Sequence, residues 1–241
     1  MVVKKKAIHS EALMEKFEKL LNNLDIKFND ISHYILAFIH RSVVNEKPDY
    51  TPEHNERLEF LGDAVLELVI TNNLFRDYPK KTEGELTDIR SALVRGTNLA
   101  KTAKNLNFAD YLVLGKGEEL TGGRKNDYLL ANVVESIIGA IYIDLGIDVA
   151  TIFINKNIYP YVNDIIENNL VKDYKTTIQE HAQAVFEITP NYIVLSESGL
   201  DHDKTFEVGV YLGDKMIGKG TGSSKKKAQE KAAQDGFNNI K

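Results

Sequence analysis

The stretch His54-Asn55-Glu56-Arg57-Leu58-Glu59-Phe60-Leu61-Gly62-Asp63-Ala64-Val65-Leu66-Glu67-Leu68-Val69-Ile70 sets acids inside an otherwise apolar helical pattern. At about 3.6 residues per turn, Glu56, Glu59 and Asp63 stand three and four positions apart and share one face. Leu58, Leu61, Val65, Leu68 and Val69 are expected to share the other. Three like charges on one stripe repel, so a positive group or a cation should face them. An acidic stripe is more often just the solvated face of a helix. Phe60 speaks against that reading, because it lies near the acids where a solvated face would carry a polar residue. An aromatic exposed there points to a partner surface.

A second stretch repeats the oddity. In Asn132-Val133-Val134-Glu135-Ser136-Ile137-Ile138-Gly139-Ala140-Ile141, one face carries Asn132, Glu135, Ser136 and Gly139, with Val133, Ile137, Ala140 and Ile141 on or near the opposite one. Ser136 and Gly139 are small enough to admit another helix, which would bring Glu135 opposite Glu59 and Asp63 with a cation between them. Carboxylate oxygens with room for water and phosphate are what Mg²⁺ chemistry on a phosphodiester requires.

Composition narrows the chemistry. The chain has 241 residues, enough for one medium domain and a small one. It contains no cysteine, which removes disulfides, thiolate zinc sites and thiol nucleophiles together and favours hard, oxygen-ligated cations. No run approaches the roughly 18 apolar residues of a membrane span, and Met1 to Lys6 lacks the apolar core of a secretory signal. A cytoplasmic protein without a membrane partner is expected. The net charge of −5 at pH 7 argues, taken alone, against a nucleic-acid partner. Patterned charge outweighs the sum, however, and Lys225, Lys226 and Lys227 form one basic run.

Periodicity predicts helices over 10–22, from Asp30 through Tyr34, Ile35, Phe38 and Ile39 toward Ser42, over the opening stretch to Phe75, and over 85–93, 98–106 and 125–145. Loops are expected over 45–52, which holds two prolines, and over the glycine-rich 115–123. Everything to about Asn169 reads as helical. From Asp173 the pattern changes: a short helix at 176–184 precedes strands at 191–195, 205–211 and 215–220, and a closing helix runs over 223–239. The expected architecture is multidomain, an all-α domain over 1–169 and a small α+β module of α-β-β-β-α order over 173–241, joined by a short polar linker. The three lysines fall at the start of the closing helix, where free N–H groups and the dipole favour phosphate, and Lys225, Lys226 and Gln229 are able to face one patch of backbone. A lysine run by itself is more often a solvated patch.

Asn55-Glu56-Arg57-Leu58-Glu59-Phe60-Leu61-Gly62-Asp63 closely resembles the signature of the ribonuclease III family, Mg²⁺-dependent endonucleases of double-stranded RNA. His40-Arg41-Ser42, Glu83-Gly84-Glu85-Leu86, Leu93-Val94, Leu114-Gly115-Lys116-Gly117-Glu118, Gly122-Gly123-Arg124 and Glu135 to Tyr142 also resemble family landmarks, in family order. The resemblance implies that Glu59, Asp63 and Glu135 are metal-binding carboxylates, with Mg²⁺ as the cofactor and Mn²⁺ as its substitute. It implies that Glu56 lies nearer the RNA and the dimer contact, that Glu83 helps complete the catalytic valley, and that Phe60 enters a cavity of the other subunit of a homodimer. The implied reaction leaves staggered ends with 5′-phosphate and 3′-hydroxyl groups, in processing of rRNA and other RNA. The module from Asp173 resembles the double-stranded RNA-binding domain. That likeness implies that Gln179 and Glu180 reach one minor groove, that His202 in the 201–204 loop enters the next, and that Lys225, Lys226 and Lys227 contact the major groove between, by shape more than by sequence.

Asn132 departs from the family, which commonly has aspartate there. An amide oxygen ligates Mg²⁺ without contributing charge, so metal affinity should fall. Three readings follow: a natural variant that still cuts, an engineered change that slows cutting, or a double-stranded RNA-binding protein whose nuclease fold no longer acts. Retention of Glu59, Asp63 and Glu135 favours an active enzyme.

Overall fold

The structure is a computed structural model that describes residues 11–46, 53–167, 174–199 and 204–240. The chain divides into two compact units, 1–169 and 170–241.

The first unit is helical. α1 (Glu11–Asn23) turns Phe17, Leu20 and Leu21 into the core, the face its spacing predicts. α2 (Ile31–Ala37) is capped by the Asp30 carboxylate, which accepts from Ser32 N at 2.9 Å. It does not continue to Ser42. Phe38 and Ile39 leave the helix to meet Val113, with His40 N donating to Val113 O at 3.1 Å and Val113 N to Phe38 O at 3.0 Å. A new helix, α3 (Arg41–Glu46), follows, so the expected loop begins later than Asn45, and residues 47–52 lie outside the described residues.

α4 (Glu56–Asp77) is the predicted signature helix. One assignment within it is corrected: Leu68 is 62% exposed instead of sharing the buried face of Leu58, Val65 and Val69. The buried stripe is completed by Leu66, Ile70, Asn73 and Leu74. α5 (Glu83–Leu93) starts before Glu85 because Thr82 and Glu85 form a reciprocal capping box. α6 (Gly96–Asn105) follows, and the glycine-rich segment holds a short helix, α7 (Lys116–Leu120), instead of an open loop. Its first N–H groups are satisfied from outside, Lys116 N and Gly117 N donating to the Glu46 carboxylate at 2.7 and 3.0 Å.

α8 (Asp127–Asn157) outruns its expected end at Leu145, with a break at Gly146, whose φ of 82° no ordinary helix residue adopts. By length and composition this helix is apolar enough to cross a membrane, against the expectation that no such run exists. In the fold it is the helix against which α4 and α6 pack, and Val133, Val134, Ile137, Ile138 and Ile141 are fully buried. α9 (Tyr161–Glu167) ends the described part of the unit.

The second unit begins with α10 (Tyr174–Phe186), followed by the antiparallel sheet β1 (Asn191–Ser198), β2 (Thr205–Leu212) and β3 (Lys215–Gly222), then α11 (Lys225–Asn239). Gly218, Gly220 and Gly222, every second residue of β3, lie directly under α11. A Cβ on each would stand 2.2, 2.3 and 2.6 Å from the backbone nitrogens of Gly236, Ala232 and Ala228. A strand of glycines under a helix row of alanine and glycine brings the two backbones together and fixes where the first turn of α11 sits.

Candidate active site and nucleic-acid interface

α4 and α8 meet through their smallest residues. A Cβ on Gly139 would be 2.2 Å from Leu58 O, and Gly62 is equally pressed against α8, so any larger residue at either place would wedge the helices apart. Ser136 is fully buried in the same contact; its Oγ donates to Asn132 O at 2.8 Å, with Asn55 O as a second acceptor at 3.4 Å. Asn55 is itself buried, its N donating to Ile39 O at 2.9 Å and its Nδ2 to Ala37 O at 3.4 Å. The start of α4 is thereby tied both to α8 and to the end of α2. Ser136 and Gly139 therefore serve as the close-approach face the sequence predicts, and of that face only Asn132 and Glu135 retain access to solvent.

The consequence is one cavity of about 730 Å³ lined by Glu56, Glu59, Phe60, Asp63, Asn132 and Glu135, together with Gly96, Thr97, Asp127, Tyr128 and Ala131. Five acids, Glu56, Glu59, Asp63, Asp127 and Glu135, and the Asn132 amide, all from two helices, thus share a wall. Burial, then the charges of Asp63 and Glu59, pushes the Glu135 carboxyl up to about 8. Burial and the neighbouring charge of Glu56 also raise Glu59, while a hydrogen bond from the Asn132 amide opposes the shift. The remaining oxygen of Glu59, Oε2, is buried without a hydrogen-bond partner. A buried lone pair beside like charges favours either a proton or a cation, and the donor set is oxygen only, which suits a hard divalent ion. Among the described residues no three Asp, Glu, His or Cys side chains converge tightly enough to chelate an ion as they stand. The acids are spread round a cavity, as mutual repulsion dictates.

Phe60 projects at the rim, 81% exposed. Glu83 does not line this cavity. It sits at the start of α5 in a separate cavity of about 690 Å³ with Thr71, Leu74, Phe75, Arg76, Tyr78 and Leu86 among its walls. Sequence reasoning assigned no task to Arg41, Ser42, Asn126 or Tyr128, which line a third cavity beside the acids. The signal that could have found the first two was present in the His40-Arg41-Ser42 landmark.

In the second unit, the Ser224 side chain caps α11 by accepting from Lys227 N at 3.3 Å, so Lys225, Lys226 and Lys227 fill the first helical turn. All three are exposed, as are Gln179 and Glu180 on α10. Lys225 is drawn toward the sheet, 2.9 Å from Glu197 and 5.5 Å from the Phe206 ring centroid, and Gln229 Oε1 accepts from Lys175 Nζ at 2.9 Å. Lys226 and Lys227 are exposed, with Lys227 Nζ donating to Ser223 Oγ at 3.4 Å. His202 and its loop lie outside the described residues.

Comparison with known proteins identifies both units. Residues 30–162 match the ribonuclease-III-like family and residues 174–240 the double-stranded RNA binding motif. The chain is 41% identical over 226 residues to Ribonuclease 3 of Desulforamulus reducens, covering 94% of this chain and 92% of that protein. It is 43% identical over 228 residues to Ribonuclease 3 of Leptospira interrogans, covering 95% and 92%. A solved nuclease domain of ribonuclease III from Campylobacter jejuni superposes with a TM-score of 0.54 at 38% identity, over 60% of this chain and 99% of that one. With a helical nuclease unit and a double-stranded RNA-binding module in one chain, this protein belongs to the ribonuclease III family and is an endoribonuclease.

Proposed function

We propose that the chain hydrolyses double-stranded RNA with Mg²⁺, or Mn²⁺ in its place, and leaves staggered products with 5′-phosphate and 3′-hydroxyl ends, as in the processing of rRNA and mRNA. The observation that carries this reading is the shared cavity of Glu59, Asp63, Asn132 and Glu135, with an unpartnered buried oxygen on Glu59. These four side chains would hold the ion. A divalent cation there supplies charge stabilisation to the phosphate and acidifies water at neutral pH. The chain's own residues divide the remaining work. Glu59 and Glu135 gain most from a cation because their negative forms are disfavoured without one, and Asn132 holds Glu59 in place through its amide. Glu56, 47% exposed at the mouth, faces the incoming strand.

A homodimer fits the surface of α4. Phe60, Ala64, Leu68, Thr71 and Phe75 are all exposed and recur at four, four, three and four positions, a narrow stripe along one side of the helix. Two such stripes paired antiparallel about a two-fold axis near Leu68 would carry Phe60 to the far end of its partner's stripe, where the cavity of Thr71, Leu74 and Phe75 opens. Glu83 lines that same cavity, so the pairing would bring each Glu83 toward the acids of the other subunit. The Campylobacter jejuni nuclease domain is described as having structural flexibility in the region involved in dimer formation. Incubating the chain with a long perfect RNA duplex and graded Mg²⁺ tests the whole reading; binding without short staggered products at any metal concentration would leave a double-stranded RNA binder instead.

A further inference from the structure

Next to the acidic cavity lies a second one of about 640 Å³, lined by His40, Arg41, Ser42, Asn45, Asn126 and Glu118 and sharing Glu56, Glu59, Tyr128 and Asn132 with the first. The two cavities therefore adjoin at these side chains. Of all the described residues lining either, Arg41 is the one Lys or Arg. Its Nη1 lies 3.5 Å from Glu56 Oε1, and its side chain is 66% exposed. An exposed pair at that distance contributes little, so the guanidinium exchanges partners at small cost.

The backbone beneath Arg41 is anchored by hydrogen bonds. Ser42 Oγ accepts from Gly115 N at 2.8 Å and contacts His40 Nδ1 at 2.9 Å, while Glu46 receives the first N–H groups of α7. Both ends of α3 are thus bolted to the segment 115–117. A cation on this short helix, in a cavity otherwise lined by acids, neutral polar groups, His40 and the two leucines Leu112 and Leu129, faces a specific electrostatic problem. An RNA strand approaching these acids is repelled unless its flanking phosphates find compensation. A planar guanidinium offers two parallel donors to a phosphate, and the surrounding amides Asn45 and Asn126 and the Tyr128 hydroxyl supply neutral partners for ribose oxygens.

We infer that this polar cavity is a ribose-phosphate subsite for the strand being cut, with Arg41 binding a phosphate one or two nucleotides from the scissile bond. The inference rests on the nuclease reading above and extends it to a residue to which that reading gives no task. It is tested with a short RNA duplex that is cut at one defined bond, in saturating Mg²⁺, carrying a single neutral methylphosphonate at each position in turn. The wild-type chain should lose about tenfold in kcat/KM when one phosphate flanking the scissile bond is neutralised. Arg41→Ala should show a similar loss on the unmodified duplex, and no further loss from that same methylphosphonate. Arg41→Lys should recover part of the rate. Equal penalties at every position in wild type and Arg41→Ala, or an unchanged rate for Arg41→Ala, would overturn the subsite while leaving the nuclease reading intact. If the wild-type chain cuts no duplex, the nuclease reading fails first. Because Arg41 is exposed, its variants should keep the wild-type melting temperature, which separates loss of binding from loss of fold.

Discussion

A Cβ on Gly62 would stand 1.7 Å from the carbonyl oxygen of Glu135. This contact brings the acids of α4 and α8 to one cavity, because the helix backbones touch where most helix pairs keep side chains between them. Gly62→Ala should therefore cost at least about 3 kcal/mol, the obstacle being backbone instead of a movable side chain. Denaturant unfolding of the two chains measures this, and a variant with unchanged midpoint would mean that the helices slide apart freely.

Glu135 titrates near 8 when folded, against an ordinary value of 4.5, through burial and then the charges of Asp63 and Glu59. The folded chain holds this proton more tightly than the unfolded chain does. Its contribution to stability is present below pH 4.5 and is lost as pH rises to about 8. In metal-free buffer, Glu135→Gln should thus raise the melting temperature at pH 8 and change it little at pH 5. The gain at pH 8 should be about 1–2 kcal/mol once solvent screening of a partly open cavity is allowed for. Thermal melts across that range check the sign directly.

Asn132 donates to Glu59, and aspartate at that position would replace a donor by a further carboxylate on the cavity wall. Asn132→Asp should lower metal-free stability by about 1–2 kcal/mol, through a lost hydrogen bond and added repulsion. It should also move the Mg²⁺ concentration for half-maximal cutting downward, since the added charge favours the cation. Melting with and without Mg²⁺, alongside a metal titration of the rate, reads both directions at once.

Much of this layout was legible in residues 54–70 and 132–141, because like charges at helical spacing next to small residues leave few physical explanations. The fold class was legible for the same reason: helical periodicity up to Asn169, β-branched and aromatic alternation after Asp173. What escaped had non-local causes. The end of α2 at Ala37 depends on Val113, and α7 forms because Glu46, some seventy residues away in sequence, satisfies its first N–H groups. The exposure of Leu68 is invisible to periodicity, which ranks it with its apolar neighbours. Glu83 stands apart from the other acids because the start of α5 packs by the C-terminal half of α4, with Thr71, Leu74 and Phe75, a matter of tertiary structure.

Phe60 is 81% exposed, so Phe60→Ala should leave the melting of a dilute sample unchanged while weakening self-association. An aromatic anchor buried in a partner's cavity is worth about 2–4 kcal/mol, a loss of roughly thirty- to a thousandfold in the affinity of the proposed dimer. Equilibrium sedimentation measures it, and an unaltered dimer would place the interface elsewhere.

Lys226 and Lys227 project from the first turn of α11, whereas Lys225 leans on Glu197. Lys226→Ala and Lys227→Ala should each reduce the slope of log affinity against log salt by about one, similarly for duplexes of any sequence. Lys225→Ala should reduce it less. Binding titrations at several salt concentrations on two unrelated duplexes distinguish the three.

The most direct measurement compares wild type with Glu135→Gln on one labelled RNA duplex, following cutting and binding together as Mg²⁺ is raised. The wild-type chain should release short staggered products; Glu135→Gln should bind the duplex with wild-type affinity and cut it at least about a thousandfold more slowly at limiting Mg²⁺. Cutting by Glu135→Gln at the wild-type rate and with the wild-type metal dependence would contradict the assignment of the α4–α8 cavity as the place where RNA is cut.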